Sequence, residues 1–414
     1  MQALVLNITP AAWLRTKLLA RLAGKRVHWG RWGCLRLRDV PPPELPGEGW
    51  VLCRTKLGGL CGTDLAAVLL QQPPDSLLQA FSSTPMILGH ENVAVVESVH
   101  PSVDSAWAGQ RVCAEPTLGC TARGIEPQCP RCAAGEFGAC ENFGAAGQGR
   151  CKLPAGTSIG YNSRTGGSWG EYFVAHVSQL VPVPEGLSDE QAVLTDPLAC
   201  SLHAVLRTDL ASAQSACVWG GGILGLGTVA ALRAVGFPGR IDLFARYGFQ
   251  RELGRELRAT AAMPAVLGQA MEHAAKNLDG QVIGIRFGRK VLAGGYDVVY
   301  DCAGSRGSLE AALGLARARG QVVLIGTTGR QVFDLTPIWF RELHVIGAYG
   351  RQTEYWQGRR VGTYPLVYEM LLGRGRRVDK LLTHTFPLID YRRAFAAVAD
   401  RGRSGCVRAA FRLS

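Results

Sequence analysis

Four cysteines crowd into "CTARGIEPQCPRCAAGEFGAC", residues 120–140. Cys129 and Cys132 have two residues between them and Cys140 follows after seven more, which is knuckle spacing; Cys120 precedes Cys129 with eight residues between. Four thiolates around Zn²⁺ form a closed tetrahedral site, so such a clamp supports structure and cannot activate a substrate. A second set of donors lies outside this lobe: Cys61 in "CGTDL", His90 in "GHEN" and Asp196 in "LTDPL". Taken singly, a cysteine or histidine is more often a core residue than a ligand. Together they supply a thiolate, an imidazole and a carboxylate. A catalytic zinc uses three such protein donors and keeps its fourth position for water or substrate.

A third constellation suits a phosphate-bearing ligand. "SACVWGGGILGLGTVAALRAVG" reads as a strand, a G-x-G-x-x-G and a helix, with Gly220, Gly222 and Gly225 as the glycines and Ile223 and Leu224 as the spacer. The first glycine permits the tight turn, the second lets pyrophosphate approach the backbone, and the third lets helix and strand pack closely. In a chain with 52 glycines the bland reading is a packing turn. The strand before, the helix after and further strands downstream favour a dinucleotide site. NAD sites place an acid at the end of the second strand to bind the ribose 2′-OH. In "RIDLFARYGFQR", Asp242 comes too early for that role, the terminal position is Ala245, and Arg246 and Arg251 follow. Loss of the carboxylate removes repulsion against a 2′-phosphate and an arginine can grip it, so NADP is expected over NAD. The bland alternative makes Arg246 a solvated strand end.

Two kinds of scaffold position these residues. Residues 33–195 alternate short β-like runs ("GWVLCRTKLGG", "NVAVVESV", "GEYFVAH") with Gly/Pro turns, the pattern of a mostly antiparallel β-domain. From about 196, helical stretches alternate with compact apolar runs ("SACVWGGG", "YDVVYDCAG", "GQVVLIGTT"), which implies βαβ units and a doubly wound parallel sheet. Residues 380–414 read again as strand, helix, strand. The expected division is a catalytic domain at 1–195, completed by 346–414, and a dinucleotide-binding domain at 196–345.

The totals agree with this. At 414 residues, 47% of them hydrophobic, the chain suits two domains. No apolar run is long enough to span a bilayer. Thirteen cysteines, unevenly spread, with no secretory leader opening the chain, favour a reduced cytoplasmic protein over a disulfide scaffold. The net charge of +12 fits nucleic acid, an anionic ligand or plain solubility. The aromatic–basic interleaving of single-strand platforms is absent, so no nucleic-acid partner is expected. The basic segment "AAWLRTKLLARLAGKR" puts Leu14, Leu18, Leu19 and Leu22 on one helical face, with Arg15, Lys17, Arg21, Lys25 and Arg26 largely elsewhere. A transit peptide or a membrane-surface helix has this pattern. Because "MQALVLNI" before it reads as a first strand, the expectation is a helical insertion packed on the body, with no membrane partner.

From "MQALVL" through "GLCGTDL", "ILGHENVAVVESV", the cysteine lobe, "GSWGEYFVAH", "DPLACSLHAV" and "VWGGGILGLG" to "DVVYDCAG", the chain resembles the zinc-dependent medium-chain dehydrogenase/reductase superfamily of alcohol, polyol and threonine dehydrogenases. The resemblance implies a GroES-like β-domain joined to a Rossmann coenzyme domain. It makes Cys61 and His90 catalytic zinc ligands, Asp196 the third ligand, and Glu91 the acid that lies behind or joins the metal. It makes Thr63 the hydroxyl that bonds the substrate alcohol, and Cys120, Cys129, Cys132 and Cys140 a structural zinc lobe. It also implies a homodimer or homotetramer.

Several features depart from the family pattern. The Cys120–Cys129 gap is long, which leaves open a displaced Cys120, with Cys151 or Cys113 as its substitute, or a lobe without metal. The family's relay histidine is replaced by Ala66, and "LLQQPPDSLLQAFSSTPM" and the helix at 11–26 are insertions that reshape the substrate mouth. Tyr161, Trp169, Trp339 and Phe340 are the candidate aromatic wall.

The parts predict a zinc-dependent, NADP(H)-linked oxidoreductase interconverting a small-molecule alcohol and a carbonyl. Zinc lowers the pKa of a bound hydroxyl and the cofactor carries the hydride. The competing readings are a C=N or C=C reductase of the same superfamily and a binding protein on this fold.

Overall fold

The computed structural model describes residues 1–72, 76–288, 290–373 and 378–413. Part of the expected mouth insertion, residues 73–75, lies outside the described residues. The chain forms two compact units: Met1–Asp196 with Arg351–Tyr368 and Leu382–Ser414, and Pro197–Gly350 with Glu369–Leu381. Residues 369–381, expected with the catalytic domain, therefore cluster with the nucleotide domain. The crossing falls within the helix Thr363–Leu372, whose "TYPLVYEMLL" has no break in its pattern to mark it.

The first unit is built on a seven-stranded sheet. Its order is β19 (Leu382–Pro387), β20 (Arg408–Arg412), β3 (Trp50–Gly59), β5 (Asn92–Val99), β6 (Arg111–Ala114) and β8 (Leu180–Pro182), with β7 (Tyr172–His176) also paired to β3. Every pairing except β19–β20 is antiparallel. A small sheet, β2 (Leu35–Asp39), β1 (Gln2–Leu6) and β4 (Met86–Ile87), and a hairpin, β17 (Thr353–Trp356) and β18 (Arg359–Gly362), complete the strands. Trp50, Val51, Cys53 and Leu57 of β3 are fully buried, with core packed on both sides of the strand.

The second unit carries six parallel strands in the order β11 (Ala261–Pro264), β10 (Arg240–Ala245), β9 (Ser215–Trp219), β14 (Tyr296–Asp301), β15 (Ala316–Leu324) and β16 (His344–Gly347). A separate hairpin pairs β12 (Gln281–Gly284) with β13 (Lys290–Ala293). The order of the parallel strands is that of the Rossmann fold. "SACVW" and "YDVVYD" are buried at every position, as parallel strands covered on both faces must be.

The basic N-terminal segment is helical and packs on the body, as expected. Helix α1 (Pro10–Ala23) starts where the Thr9 hydroxyl accepts the Ala12 amide, has Pro10 in its first turn, and ends at Gly24 with φ +75°. The side that packs on the body holds Ala12, Trp13 and the fully buried Thr16. Leu14, Leu18 and Leu22 are 54%, 51% and 87% exposed. These three leucines therefore point outward, Leu19 is half-buried, and the helix meets the body through Ala12, Trp13 and Thr16. Among the described residues no helix is long and apolar enough to cross a membrane.

Candidate active site

Chain geometry brings Cys61, His90 and Glu91 together in the first unit. Cys61 is the residue before helix α2 (Gly62–Val68), just past the end of β3, and His90–Glu91 immediately precede β5, the strand paired to β3. The start of β5 is locked by Asn92, whose side chain donates to the Ala114 carbonyl at 2.8 Å and accepts its amide at 2.7 Å. Ser168 Oγ donates to the Glu91 carbonyl at 2.7 Å, and the buried Trp169 Nε1 donates to the Gly59 carbonyl at 2.9 Å. One donor atom from each of Cys61, His90 and Glu91 lies within 4.8 Å of the others.

Fixed charges surround these donors. His90 Nδ1 lies 3.2 Å from Asp64 Oδ1, which also accepts the Tyr161 hydroxyl at 2.8 Å. This leaves Nε2 as the imidazole's ligand atom, the arrangement by which an outer carboxylate orients a metal-binding histidine. Glu91 is buried and ion-paired with the buried Arg408. Thr63 Oγ1 donates to Cys61 Sγ at 2.9 Å. Burial pushes the Cys61 thiol up, but the neighbouring His90 and Arg408 charges outweigh it and hold the thiol down at about 6. Burial likewise opposes protonation of His90, yet Asp64 and Cys61 raise it well above the usual imidazole range. Gly59 is required here: a Cβ on it would stand 2.1 Å from Glu91 Oε2. A soft thiolate, an imidazole and a carboxylate held on one small volume fit a zinc ion.

Asp196, expected as the third donor, is not in this group. Its buried Oδ1 accepts Arg351 Nε at 2.7 Å and the Tyr364 hydroxyl at 2.7 Å, and Arg351 also approaches Glu115 at 3.8 Å. The guanidinium and phenol already hold the carboxylate, and Glu91 takes the place next to Cys61 and His90. Burial raises Glu115 to about 7 against the pull of Arg351.

In the lobe, Cys120, Cys129, Cys132 and Cys140 present sulfurs within 4.8 Å of one another. The long gap is taken up by the short helix α3 (Cys120–Arg123) and a left-handed turn at Gly124, so Cys120 is not displaced. Cys151 instead accepts Trp50 Nε1 at 3.3 Å, and Cys113 donates to the Ala192 carbonyl at 3.4 Å. Backbone amides of Cys132 and Glu141 point at Cys129 Sγ; against the opposing effect of burial they lower that thiol to about 7. Arg123 is fully buried and donates to the carbonyls of Leu118, Ala145, Leu153, Pro154 and Gly156, tying the lobe's ends together.

In the second unit, β9 ends at Trp219 and helix α4 (Ile223–Ala234) follows, with Gly222 as its N-cap residue, which has no side chain to cap it. Gly220 has φ +113°, and a Cβ on Gly225 would lie 1.8 Å from the Gly220 carbonyl oxygen. Bare amides at a helix start suit an anion. Leu224 offers its carbonyl to Ser201 and Thr228. Ala245 ends β10 buried, Arg246 is exposed with its guanidinium 5.5 Å from the Tyr247 ring, and Arg251 donates to the Ala245 carbonyl at 3.1 Å. Asp242 is buried and held by Arg240, Tyr296 and His273.

Asp64, Arg408 and Gly59 were not singled out by sequence reasoning. Asp64 stands inside the quoted "CGTDL", three residues from Cys61, where its spacing was the available signal. Arg408 lies far along the chain from Glu91 and carries none. Of the aromatic candidates, Tyr161 packs 5.9 Å from the His90 ring, Trp169 is core, and Trp339 and Phe340 are exposed.

Two family models match the chain: an alcohol dehydrogenase GroES-like domain over 47–185 and a zinc-binding dehydrogenase over 224–360. The chain is 27% identical over 381 residues to an L-idonate 5-dehydrogenase of Vitis vinifera, covering 89% of this chain and 91% of that one. It is 26% identical over 395 residues to an L-threonine 3-dehydrogenase of Shewanella sp. (strain ANA-3), covering 94% and 98%. A zinc-binding dehydrogenase from Sinorhizobium meliloti 1021, solved bound to NADP, superposes with TM-score 0.69 at 25% identity, covering 92% and 96%. The chain belongs to the zinc-type medium-chain dehydrogenase/reductase superfamily, and with it to the oxidoreductases that act on CH–OH groups with a nicotinamide cofactor.

Proposed function

We propose that this protein interconverts a small-molecule alcohol and its carbonyl with NADP(H), using zinc held by Cys61, His90 and Glu91. The convergence of these three donors carries the reading. Bound there, zinc would acidify a substrate hydroxyl or polarise a carbonyl. The protein's own groups do the rest. Arg408 pairs with Glu91 and holds it in place, Asp64 fixes the tautomer and tilt of His90, and Thr63 Oγ1 is the group to take the substrate's proton. Position 66 holds no histidine, so the proton leaves by another route than the family's relay. The four lobe thiols would hold a second, structural zinc.

The Gly220–Gly225 turn would receive the pyrophosphate, and Arg246, with Arg251 behind it, the 2′-phosphate. The thirteen free thiols suit a reducing, cytoplasmic compartment. Kinship with the superfamily suggests a homodimer or homotetramer. The test is metal content with NADPH and NADH titration: two zincs per chain and tighter NADPH binding are expected. Arg246→Ala should weaken NADPH by about tenfold or more and leave NADH nearly unchanged. Equal affinities for both cofactors in the unaltered protein would overturn the NADP assignment.

A further inference from the structure

Helix α1 takes no part in the chemistry above, yet it is a deliberate surface. Leu14, Leu18 and Leu22 recur at i, i+4, i+8 and form an outward stripe about 12 Å long. Exposed Arg15 flanks it on one side; Arg21 and half-buried Lys17 flank it on the other. Beyond the helix, Lys25, Arg26 and Arg31 are exposed, as is Trp32 at 46%. The first acidic residue of the chain is Asp39, so nothing in this segment neutralises the six cations. At the C-terminal end of the helix, Lys25, Arg26, Trp29, Asp400 and Arg403 line a cavity of about 210 Å³, three cations against one carboxylate.

An isolated leucine on a surface needs no explanation, but three in register, bordered by cations and continued by a basic cavity, select an occupant that is apolar in depth and anionic at its surface. A two-fold contact with a second copy would set the same arginines against one another with no acid in the segment to pair them. We propose that α1 docks this protein onto an anionic phospholipid surface. The helix lies flat, with Leu14, Leu18 and Leu22 at the headgroup–acyl boundary, its flanking cations on the lipid phosphates, and a headgroup phosphate in the Lys25–Arg26–Arg403 cavity. Each buried leucine and each cation near an anionic leaflet adds favourable free energy, so the two contributions reinforce each other.

The experiment is co-sedimentation of the full-length protein with phosphatidylcholine vesicles with and without phosphatidylglycerol, beside its oligomeric state by light scattering. The expected result is binding to the anionic vesicles only, reversed by high salt. Leu14→Ser/Leu18→Ser/Leu22→Ser and Arg15→Gln/Arg21→Gln/Arg26→Gln should each lower the partition coefficient by about tenfold or more while NADPH binding stays unchanged. Leu18→Glu alone gives the same readout if the triple variant folds poorly. The proposal falls if the unaltered protein ignores anionic vesicles or binds both kinds equally. It falls equally if the leucine variants bind as before, or if they change the subunit number without lipid, which would show that a second copy covers the stripe.

Discussion

Cys61, His90 and Glu91 sit among fixed charges, whereas the four thiols at 120–140 sit among backbone amides. In the first group His90 leans on Asp64 of α2 and Glu91 on Arg408 of β20, partners from other elements, while Cys61 takes a hydrogen bond from the nearby Thr63. In the second, the donors come from one stretch of chain and their immediate support is local, with N–H groups of Cys129 and Cys132 aimed at sulfur. Three donors of three chemical kinds leave a coordination position open; four alike close the shell. The difference separates a place where charge can be handled from a clamp that holds a loop.

The sharpest way to break that contrast is to remove one sulfur from each. Cys61→Ser should lower kcat/KM by about a thousandfold or more and cost one zinc, because the metal's chemistry goes with it. Cys129→Ser should cost the other zinc and thermal stability, with NADPH binding retained. Equal losses of activity in the two folded proteins would erase the distinction between site and clamp.

Arg408→Leu should follow in size. It strands a buried carboxylate, so a destabilisation of about 3–5 kcal/mol is expected in chemical denaturation. Little change would mean that Glu91 is not held as an ion pair. Asp64→Asn and Gly59→Ala should weaken zinc at the first site by about 10- to 100-fold, through the tilt of His90 and the displacement of Glu91. Metal competition with a chelator measures both, and the lobe zinc serves as the internal control.

The smallest effect concerns pH. With the Cys61 thiol held down at about 6 in the metal-free protein, the thiolate persists above that pH and is lost as pH falls through it. A depressed pKa contributes stability that is complete above the ordinary thiol range and disappears on acidification through the folded value. Iodoacetamide labelling of chelated protein should therefore show a Cys61 inflection near 6. An inflection in the usual thiol range would remove His90 and Arg408 as the cause.

Much of this protein could be read without coordinates because its signals are local. The alternating runs of 33–195 and the strand–glycine–helix of 215–234 each carry their pattern within a few residues, and the Rossmann order and antiparallel sheet follow from them. The knuckle cysteines are likewise neighbours in sequence, so their convergence needed little more than counting. Cys61 and His90 were legible as donor types next to turns.

Three matters were decided only in three dimensions. Whether Asp196 or Glu91 joins Cys61 and His90 depends on Arg351, Tyr364 and Arg408, partners more than 150 residues from the carboxylates they hold, and no local pattern encodes which buried carboxylate meets which guanidinium. The return of residues 369–381 to the nucleotide unit falls inside an unbroken helix. The side of α1 that meets the body is not legible in sequence, because periodicity shows that leucines share a side, not which side the body takes. Thr16, Ala12 and Trp13 are the side that docks, and the stripe faces outward because packing, not hydrophobicity alone, chose the contact.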